Sequence, residues 1–371
     1  MQTVSASPHI TKQNNSTRRI MLDVLIALMP CLIAAVVFFG YHVLINLFTA
    51  LVFCFGTELL YDLIRSKDWT KEGVKRSSVT DLSFAVTAVI LTLNLPSVMT
   101  VSSWGMNILN ADGAVVFGFD TVALVALGSI FSIAVVKMLF GGIGRNFANP
   151  ACTGRVFLFI AFGASGAFTA IEPLFASPAA TGATWLGTRG AVGGSALLDM
   201  FLGNIASAAV GETCVIAILI GYAYLSIRRV IDPRMPLIAI ASLVLFAFLF
   251  DVVPSGARGA DMFYQTAAHV LSGGLLFGSV FMAPDYATSP NTFVGNVVYF
   301  AGIGLITALI RAFGNFPEGF SYALLIMNLI VPLLDKYIVP KPFGFVKSKA
   351  KTERKSKRVK NAEAASKGGE V

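Results

Sequence analysis

The sequence contains few charged residues for its length. Of its 371 residues, 13% are Asp, Glu, Lys or Arg, whereas 56% are hydrophobic. A soluble globular domain carries about a quarter charged residues, so this shortage excludes an ordinary soluble protein. The chain is therefore predicted to be a membrane protein.

Cysteine and histidine are also scarce, which argues against a metal centre built by the chain. The four cysteines stand in separate apolar runs without a C-x-x-C pair, and the three histidines are equally dispersed. Isolated cysteines of this kind are usually small buried hydrophobic residues. The sequence also lacks a secretory signal pattern at its polar start and any Walker, Rossmann or H-E-x-x-H motif.

What the sequence contains instead is a series of apolar runs. A helix needs about 20 apolar residues to cross the hydrocarbon core of a bilayer. The runs are Ile20–Phe39, Tyr41–Ile64, Leu82–Leu95, Thr121–Phe140, Ala151–Thr169, Gly211–Ile227, Pro236–Val252, Thr266–Ala283, Phe293–Ala312 and Phe320–Ile338. The fold class is therefore predicted to be an all-α polytopic membrane protein with about ten transmembrane helices.

Two of these runs end at a proline in corresponding places of the two halves. The third run stops just before Pro96 and the eighth just before Pro284. Matching broken helices are typical of transport proteins built from inverted repeats. In addition, Gly144-Arg145-Asn146-Phe147 before the fifth run resembles Gly314-Asn315-Phe316 before the tenth. We therefore expect two inverted five-helix repeats with broken helices near Pro96 and Pro284.

The runs divide the chain into five parts. These are an amino-terminal arm (1–19), a first repeat (20–169), a loop (170–210), a second repeat (211–338) and a basic tail (339–371) that we expect to be disordered. With ten spans, the basic arm, the basic connections and the tail all lie on one side of the membrane. Because basic loops remain in the cytoplasm, both termini are predicted to be cytoplasmic and the 170–210 loop extracytoplasmic.

A short hydroxyl-bearing sequence, Thr181-Gly182-Ala183-Thr184, lies in the loop between the repeats. The phosphate of FMN can be esterified to a threonine hydroxyl. Small neighbouring residues let the phosphate and a modifying enzyme approach the backbone closely. On its own, however, such a tetrapeptide is more often a simple turn.

Charged side chains inside apolar runs are costly in a membrane and usually face a bundle interior or a wet cavity. Glu58 and Glu212 lie deepest and are candidates for an ion path or for pairing within the bundle. The remaining charges, most of which lie near the ends of runs and are more simply interfacial, are Asp23, Asp62, Lys137, Asp251, Asp285 and Asp335.

A glycine-rich stretch at the predicted cytoplasmic mouth is a second candidate site. It comprises Gly141, Gly142 and Gly144, followed by Asn146. One interpretation is close approach of the backbone to a flavin, a quinone or a neighbouring subunit. The simpler interpretation is a tight turn that leads into Asn149-Pro150.

Taken together, several stretches resemble the NqrB/RnfD family of ion-translocating electron-transport subunits, and the resemblance extends from Ser7 to about Gly344. The stretches are Ser7-Pro8-His9, Arg18-Arg19-Ile20-Met21-Leu22, the G-G-x-G-x-N and N-P-A elements within 139–151, the T-G-A-T sequence, Phe201-Leu202-Gly203, and Ser272-Gly273-Gly274 with Asp285. The Asn146-Phe147 and Asn149-Pro150-Ala151 run and the short amino-terminal segment favour the Rnf branch of the family.

The resemblance implies a membrane-embedded electron-carrier subunit of the Rnf complex of a bacterial cytoplasmic membrane. That complex transfers electrons between reduced ferredoxin and NAD and couples this to Na⁺ or H⁺ translocation. The implied partners are the A, B, C, E and G proteins of that complex, a flavin transferase and the lipid bilayer, with no nucleic acid. The implied cofactors are FMN on Thr184, recognised through Thr181, Gly182 and Ala183, and a second flavin such as riboflavin nearer the cytoplasmic face.

One departure from the family pattern and three alternatives remain. The flavin-transfer pattern has an aspartate six residues before the acceptor threonine, where this chain has Pro178. The alternatives are an NqrB-like component of a Na⁺-translocating NADH:quinone reductase, a passive channel for small solutes, and an assembly component without a cofactor. The channel alternative stays open because inverted five-helix folds also serve solutes such as urea and ammonium.

Overall fold

A computed structural model describes most of the chain. The described residues are 16–67, 69–70, 77–101, 103–109, 115–165, 167–168, 173, 185–188, 192–204, 209–256, 258–314 and 319–339. Within these ranges the regular structure is helical apart from one antiparallel hairpin, which pairs β1 (Ile108–Leu109) with β2 (Val115–Phe117). The arm before residue 16, the tail from residue 340 and the Asn315-Phe316 sequence lie outside the described residues.

The first half of the bundle contains five helices, and two of them begin at a side-chain cap. They are α1 (Thr17–Phe39), α2 (His42–Ser66), α3 (Ser83–Leu93), α4 (Phe119–Ile130), which continues as a π-helix over Phe131–Met138, and α5 (Pro150–Phe162). The Ser16 hydroxyl caps α1 by accepting a hydrogen bond from the backbone N–H of Arg19. Asn149 caps α5 in the same way, with Pro150 at the first helical position, where proline loses no hydrogen bond.

Short 3₁₀ helices lie over Ser78–Asp81 and Gly163–Ser165. Two small helices, α6 (Trp185–Thr188) and α7 (Gly194–Leu202), precede the second half. That half consists of α8 (Val215–Ile227), α9 (Arg234–Ala247, continuing as a π-helix over Phe248–Val252), α10 (Ala260–Leu271), α11 (Leu275–Phe281), α12 (Phe293–Phe313) and α13 (Phe320–Tyr337).

The predicted polytopic, all-helical membrane fold is confirmed. Among the described residues, six helices are long and apolar enough to cross a membrane: α1, α2, α4 with its π-helix, α9 with its π-helix, α12 and α13. The shorter apolar helices α3, α5 and α8 occupy three more of the predicted runs. The eighth run was predicted less accurately, because its helix begins at Ala260 and is interrupted at Ser272–Gly274 to give α10 and α11.

Helices α3 and α11 both stop before a proline, as predicted. Helix α3 ends at Leu93 and α11 at Phe281. In an apolar environment the backbone groups freed by such a break need partners. The N–H of Gly211 donates to the carbonyl of Leu93 at 2.7 Å, and Asn46 Nδ2 donates to the carbonyl of Ser97 at 2.9 Å.

The two halves use the same pairing of helices. In the first half α2 packs against α3 and α4, and in the second half α9 packs against α10, α11 and α12. The π-helical segments also recur, at the end of α4 and at the end of α9. The pairing of helices and the π-helical segments thus recur in the two halves.

Glycine permits a close contact between α11 and α13 in the second half. A Cβ atom on Gly278 of α11 would overlap the aromatic ring of Phe320 on α13. Both residues are buried. Small residues at such crossings allow membrane helices to pack closely.

We predict that Gly278→Val destabilises the protein because the added side chain must displace α13. Overpacking of this kind costs about 1–3 kcal/mol, measurable as a lower unfolding midpoint of the purified chain in detergent. The control is Gly56→Ala in α2, where an added methyl group meets nothing within 4 Å. Equal effects of the two substitutions would contradict the packing described here.

Candidate functional site

A cavity of about 480 Å³ lies between α1, α3, α8, α11 and the loop that precedes α5. This volume falls within the range of cofactor and ligand pockets, about 300–1,000 Å³. The charged and amide side chains among the residues that line it are Arg19, Asp23, Lys137, Asn146, Asn149, Arg228, Arg229 and Asp285. Apolar side chains such as Ile90, Ile143 and Val280 complete the wall.

The glycine-rich stretch identified in the sequence forms the turn beside this cavity. Gly141, Gly142 and Gly144 have φ angles of +112°, +87° and +82°, a region that favours glycine. The turn brings Ile143 and Asn146 to the cavity wall, whereas the three glycines are not among the lining residues. Of the four residues predicted for this site, Asn146 therefore lines the cavity, and the three glycines form the turn that holds Ile143 and Asn146 at the cavity wall.

Asp285 lies in the segment between α11 and α12 and also lines the cavity. Its carboxylate accepts a hydrogen bond from the N–H of Ala287 at 3.2 Å and lies 3.4 Å from the hydroxyl of Thr288. Burial raises the pKa of the Asp285 carboxyl, although these two hydrogen bonds and the charge of Lys137 oppose the shift. The cavity thus offers a carboxyl group that holds its proton more readily than an exposed aspartate.

Glu58, one of the two predicted ion-path residues, is fully buried and paired with a lysine. Lys137, in the π-helical segment after α4, places its Nζ 2.5 Å from Glu58 Oε2 and 2.6 Å from Ser83 Oγ. The ammonium group occupies the position that a cation would take beside this carboxylate. A translocated ion that bound Glu58 Oε2 would have to displace Lys137.

Glu212, the second predicted ion-path residue, belongs to a different ion pair. Arg155 Nη1 lies 3.2 Å from Glu212 Oε1, 2.9 Å from Asn94 Oδ1 and 3.2 Å from Ser321 Oγ. Arg155 and Asn94 belong to the first half of the bundle, and Glu212 and Ser321 to the second. The network therefore joins the two halves beside the end of α3.

A third buried cation lies at the interruption between α10 and α11. Arg311 Nη1 donates to the carbonyl of His269 at 2.5 Å, and its Nη2 donates to the carbonyl of Ser272 at 3.1 Å. His269 Nε2 in turn lies 3.0 Å from Asp251 Oδ2. Arg311 thus satisfies backbone carbonyls that the interrupted helix leaves without a helical partner.

The predicted flavin-attachment residues Thr181, Gly182, Ala183 and Thr184, as well as Pro178, lie outside the described residues. The next residue in the chain, Trp185, begins α6, and its indole packs edge-on against the His269 ring with the centroids 5.1 Å apart. Trp185, which directly follows the tetrapeptide, therefore contacts the histidine whose backbone carbonyl accepts a hydrogen bond from Arg311.

Other charges near span ends have local partners. Asp23 pairs with Arg228 at 3.1 Å and accepts a hydrogen bond from the Tyr224 hydroxyl at 3.1 Å. Asp335 accepts hydrogen bonds from the backbone N–H and the side-chain amide of Asn291 at 3.0 and 2.8 Å. These contacts link the ends of helices.

Arg155 and Arg311 are two buried cations that were not selected from the sequence as charges inside apolar runs. Both lie inside predicted runs, so the same rule that selected Lys137 would have selected them. Asn94 and Ser321 carry no comparable signal, because uncharged polar residues are frequent in membrane helices and their connections.

We predict that Glu58→Gln or Lys137→Met alone lowers the free energy of unfolding by about 3–5 kcal/mol, because each leaves an uncompensated buried charge. The double variant should recover most of this loss. The coupling is measured by comparing the unfolding free energies of the wild type, the two single variants and the double variant, each purified in detergent. Asp335→Asn, at a more exposed pair, is the control. Additive losses in the double variant would contradict a coupled pair.

Comparisons with known proteins identify the family. A family model described as the NQR2, RnfD, RnfE family matches residues 3–118 and 120–344. The D component of the Na(+)-translocating ferredoxin:NAD(+) oxidoreductase complex of Acetobacterium woodii is 34% identical over 349 residues, which cover 94% of this chain and 96% of the relative.

Two further relatives differ in ion or electron acceptor. The D component of the proton-translocating ferredoxin:NAD(+) oxidoreductase complex of Clostridium ljungdahlii is 32% identical over 354 residues, covering 92% of this chain and 96% of the relative. The B component of the Na(+)-translocating NADH-quinone reductase of Chromohalobacter salexigens is 36% identical over 275 residues, covering 72% of this chain and 61% of the relative.

Proposed function

This chain belongs to the NQR2, RnfD, RnfE family, and on that premise we propose that it is the D-type component of an ion-translocating ferredoxin:NAD⁺ oxidoreductase. The observation that carries the proposal is the similarity over more than 90% of both this chain and the two relatives named for that activity. The quinone-reductase relative is covered over only 61% of its length. The difference in coverage favours the ferredoxin:NAD⁺ enzyme over the NADH:quinone reductase.

In that reaction, the role of this chain is to hold flavin in the membrane. FMN is attached by its phosphate to Thr184 Oγ, and Thr181, Gly182 and Ala183 form the sequence that a flavin transferase recognises. The T-G-A-T sequence and the family membership support this assignment. The flavin supplies the electron-transfer chemistry when bound, and the protein supplies attachment, orientation and electrostatic surroundings.

The cavity fits a second flavin. An isoalloxazine ring has two apolar faces and a polar edge, and the wall offers apolar Ile143 and Val280 together with polar Asn146 and Asp285. Arg19 and Arg228, which also line the cavity, provide positive charge that favours an electron-rich ligand. Asn146 and Asp285 are the residues that we assign to the polar edge of the ring.

The two flavins lie at opposite faces of the membrane in this proposal. Arg19 and Arg228 at the cavity belong to segments predicted to be cytoplasmic, whereas Thr184 belongs to the loop predicted to be extracytoplasmic. Electrons must therefore cross the bilayer through another carrier, which the other Rnf proteins, A, B, C, E and G, would supply. In this proposal the complex lies in a bacterial cytoplasmic membrane.

Ion coupling is proposed to act through the buried ion pairs. The two relatives named for ferredoxin:NAD⁺ activity differ in ion, one Na⁺ and one proton, so these relatives favour neither. Because Arg155–Glu212 joins the two halves, a change in flavin charge that shifts one half against the other would disturb this pair and change ion access. Full ion pumping by a Glu58→Gln, Glu212→Gln double variant in vesicles would remove both residues from the path.

We predict an FMN-sized mass increase on the peptide that contains Thr184 when the chain is produced with its flavin transferase. Peptide mass spectrometry should find this adduct in the wild type and in the control Thr188→Ala, but not in Thr184→Ala. An unmodified wild-type peptide would refute covalent attachment and favour the channel or the cofactor-free alternative. It would also identify Pro178 as incompatible with the modification.

The cavity proposal has its own test in the flavin that acid or heat releases from the protein. Asn146→Trp should reduce the released flavin at least about tenfold, because the larger side chain fills the space beside the ring. Arg145→Trp is the matched control, since Arg145 is exposed and does not line the cavity. Equal release from both variants would contradict binding in this cavity.

A further inference from the structure

Four polar side chains form an unbroken series of short contacts from the cavity to the carboxyl-terminal end of α2. Lys137 lines the cavity, with its Nζ 2.5 Å from Glu58 Oε2. Glu58 Oε1 lies 2.6 Å from Ser78 Oγ, and that hydroxyl oxygen lies 2.7 Å from Asp62 Oδ2. Lys137 and Glu58 are fully buried, whereas Ser78 and Asp62 are half-buried. The series therefore connects the interior with the end of the helix.

Local structure holds these groups in line. Glu58 and Asp62 are four residues apart on α2, so their side chains lie on the same face of the helix. The 3₁₀ helix Ser78–Asp81 brings Ser78 against that face. The backbone N–H of Ser78 donates to Asp62 Oδ2 at 2.7 Å, and the Ser83 hydroxyl lies 2.6 Å from Lys137 Nζ at the other end.

The position of Ser78 brings two carboxyl groups within reach of one hydroxyl group. A serine hydroxyl has one proton to donate and two lone pairs that accept. Ser78 Oγ lies within hydrogen-bonding distance of a carboxyl oxygen on each side. One proton shared by Glu58 and Asp62 through Ser78 would make each contact a separate hydrogen bond.

We propose that Asp62, Ser78, Glu58 and Lys137 form a proton relay between water at the end of α2 and the cavity. The inference rests on the proposed function, which places a redox cofactor in that cavity. A flavin that takes up electrons becomes more basic and needs a proton, and Lys137 is the buried donor at the cavity wall. Asp285, which also lines the cavity, and the buried thiol of Cys54 are further titratable groups that interact electrostatically with Lys137.

The transfer balances with one proton and no electron. Lys137 Nζ releases one proton to a basic atom in the cavity and regains one from Glu58. Glu58 regains a proton from the Ser78 hydroxyl as that hydroxyl takes one from Asp62, and Asp62 is reprotonated by water. Every residue returns to its initial state, and the net change is one proton moved from water to the cavity.

Passing protons is a role for Glu58 that is compatible with its ion pair to Lys137. Because Lys137 Nζ occupies the cation position at Glu58, this carboxyl group is better suited to passing protons than to binding Na⁺. The relay therefore serves the protonation of the cofactor whichever ion the complex translocates.

The shared proton can be tested without any cofactor. Infrared spectra of the purified full-length, flavin-free chain at neutral pH should contain the carbonyl band of a protonated carboxylic acid that shifts in D₂O. The band should be lost in Asp62→Asn and in Glu58→Gln and kept in Ser78→Thr, which retains the hydroxyl. A wild-type spectrum without this band, or one in which neither carboxyl substitution changes it, would overturn the relay.

Transfer along the relay is tested by proton uptake from a pH-indicator dye after chemical reduction of the flavin-loaded protein. Ser78→Ala should slow uptake at least about tenfold, as expected when a positioned proton donor is lost, while its flavin content stays at the wild-type level. Ser78→Thr and Thr80→Ala should match the wild type, since Thr80 is an exposed hydroxyl on the same 3₁₀ helix.

The two experiments separate failure of the relay from failure of the cavity assignment. Wild-type uptake in a fully flavin-loaded Ser78→Ala variant would overturn the relay and leave the flavin site intact. Wild-type protein that binds no flavin in the cavity refutes the proposed site, and the infrared band then decides alone whether the shared proton exists.

Discussion

A helix that ends inside a bilayer exposes backbone N–H and C=O groups to an environment without water, and these groups must find partners within the protein. Helices α3 and α11 both end among buried residues, where water is also excluded, and each end is completed by the other half of the bundle. The Gly211 N–H donates to the Leu93 carbonyl at 2.7 Å, and Asn149 Nδ2 donates to the Met282 carbonyl at 3.2 Å. The two breaks therefore hold the halves together, and the polar groups that they require create the setting for chemistry.

The buried cations Lys137 and Arg311 have different surroundings in the two halves. Lys137 lies in the π-helix after α4 and Arg311 near the end of α12, and each contacts a serine at or just before the start of a helix, Ser83 or Ser272. Lys137, however, faces a cavity and an acidic neighbour, whereas Arg311 is used to satisfy backbone carbonyls. The first half thus retains a titratable group beside a ligand-sized space, which is the property that a cofactor site needs.

Much of this architecture could be predicted from sequence because its causes are local. The length of an apolar run predicts a span, and a proline in the run predicts where the helix ends. The break between α10 and α11 was missed because Thr266–Ala283 is apolar enough to suggest one helix, although Gly273 has a φ of +72° that a helix does not contain.

The ion pairs could not be predicted in the same way. Lys137 and Glu58 are 79 residues apart, and Arg155 and Glu212 are 57 residues apart, so only the packing of the helices decides which charges meet.

The proposal that the cavity binds a flavin is tested most directly by an experimental structure of the flavin-loaded complex. We predict density for an isoalloxazine ring beside Ile143, Asn146 and Asp285. Density for lipid in that cavity, with the second flavin bound elsewhere, would contradict this assignment.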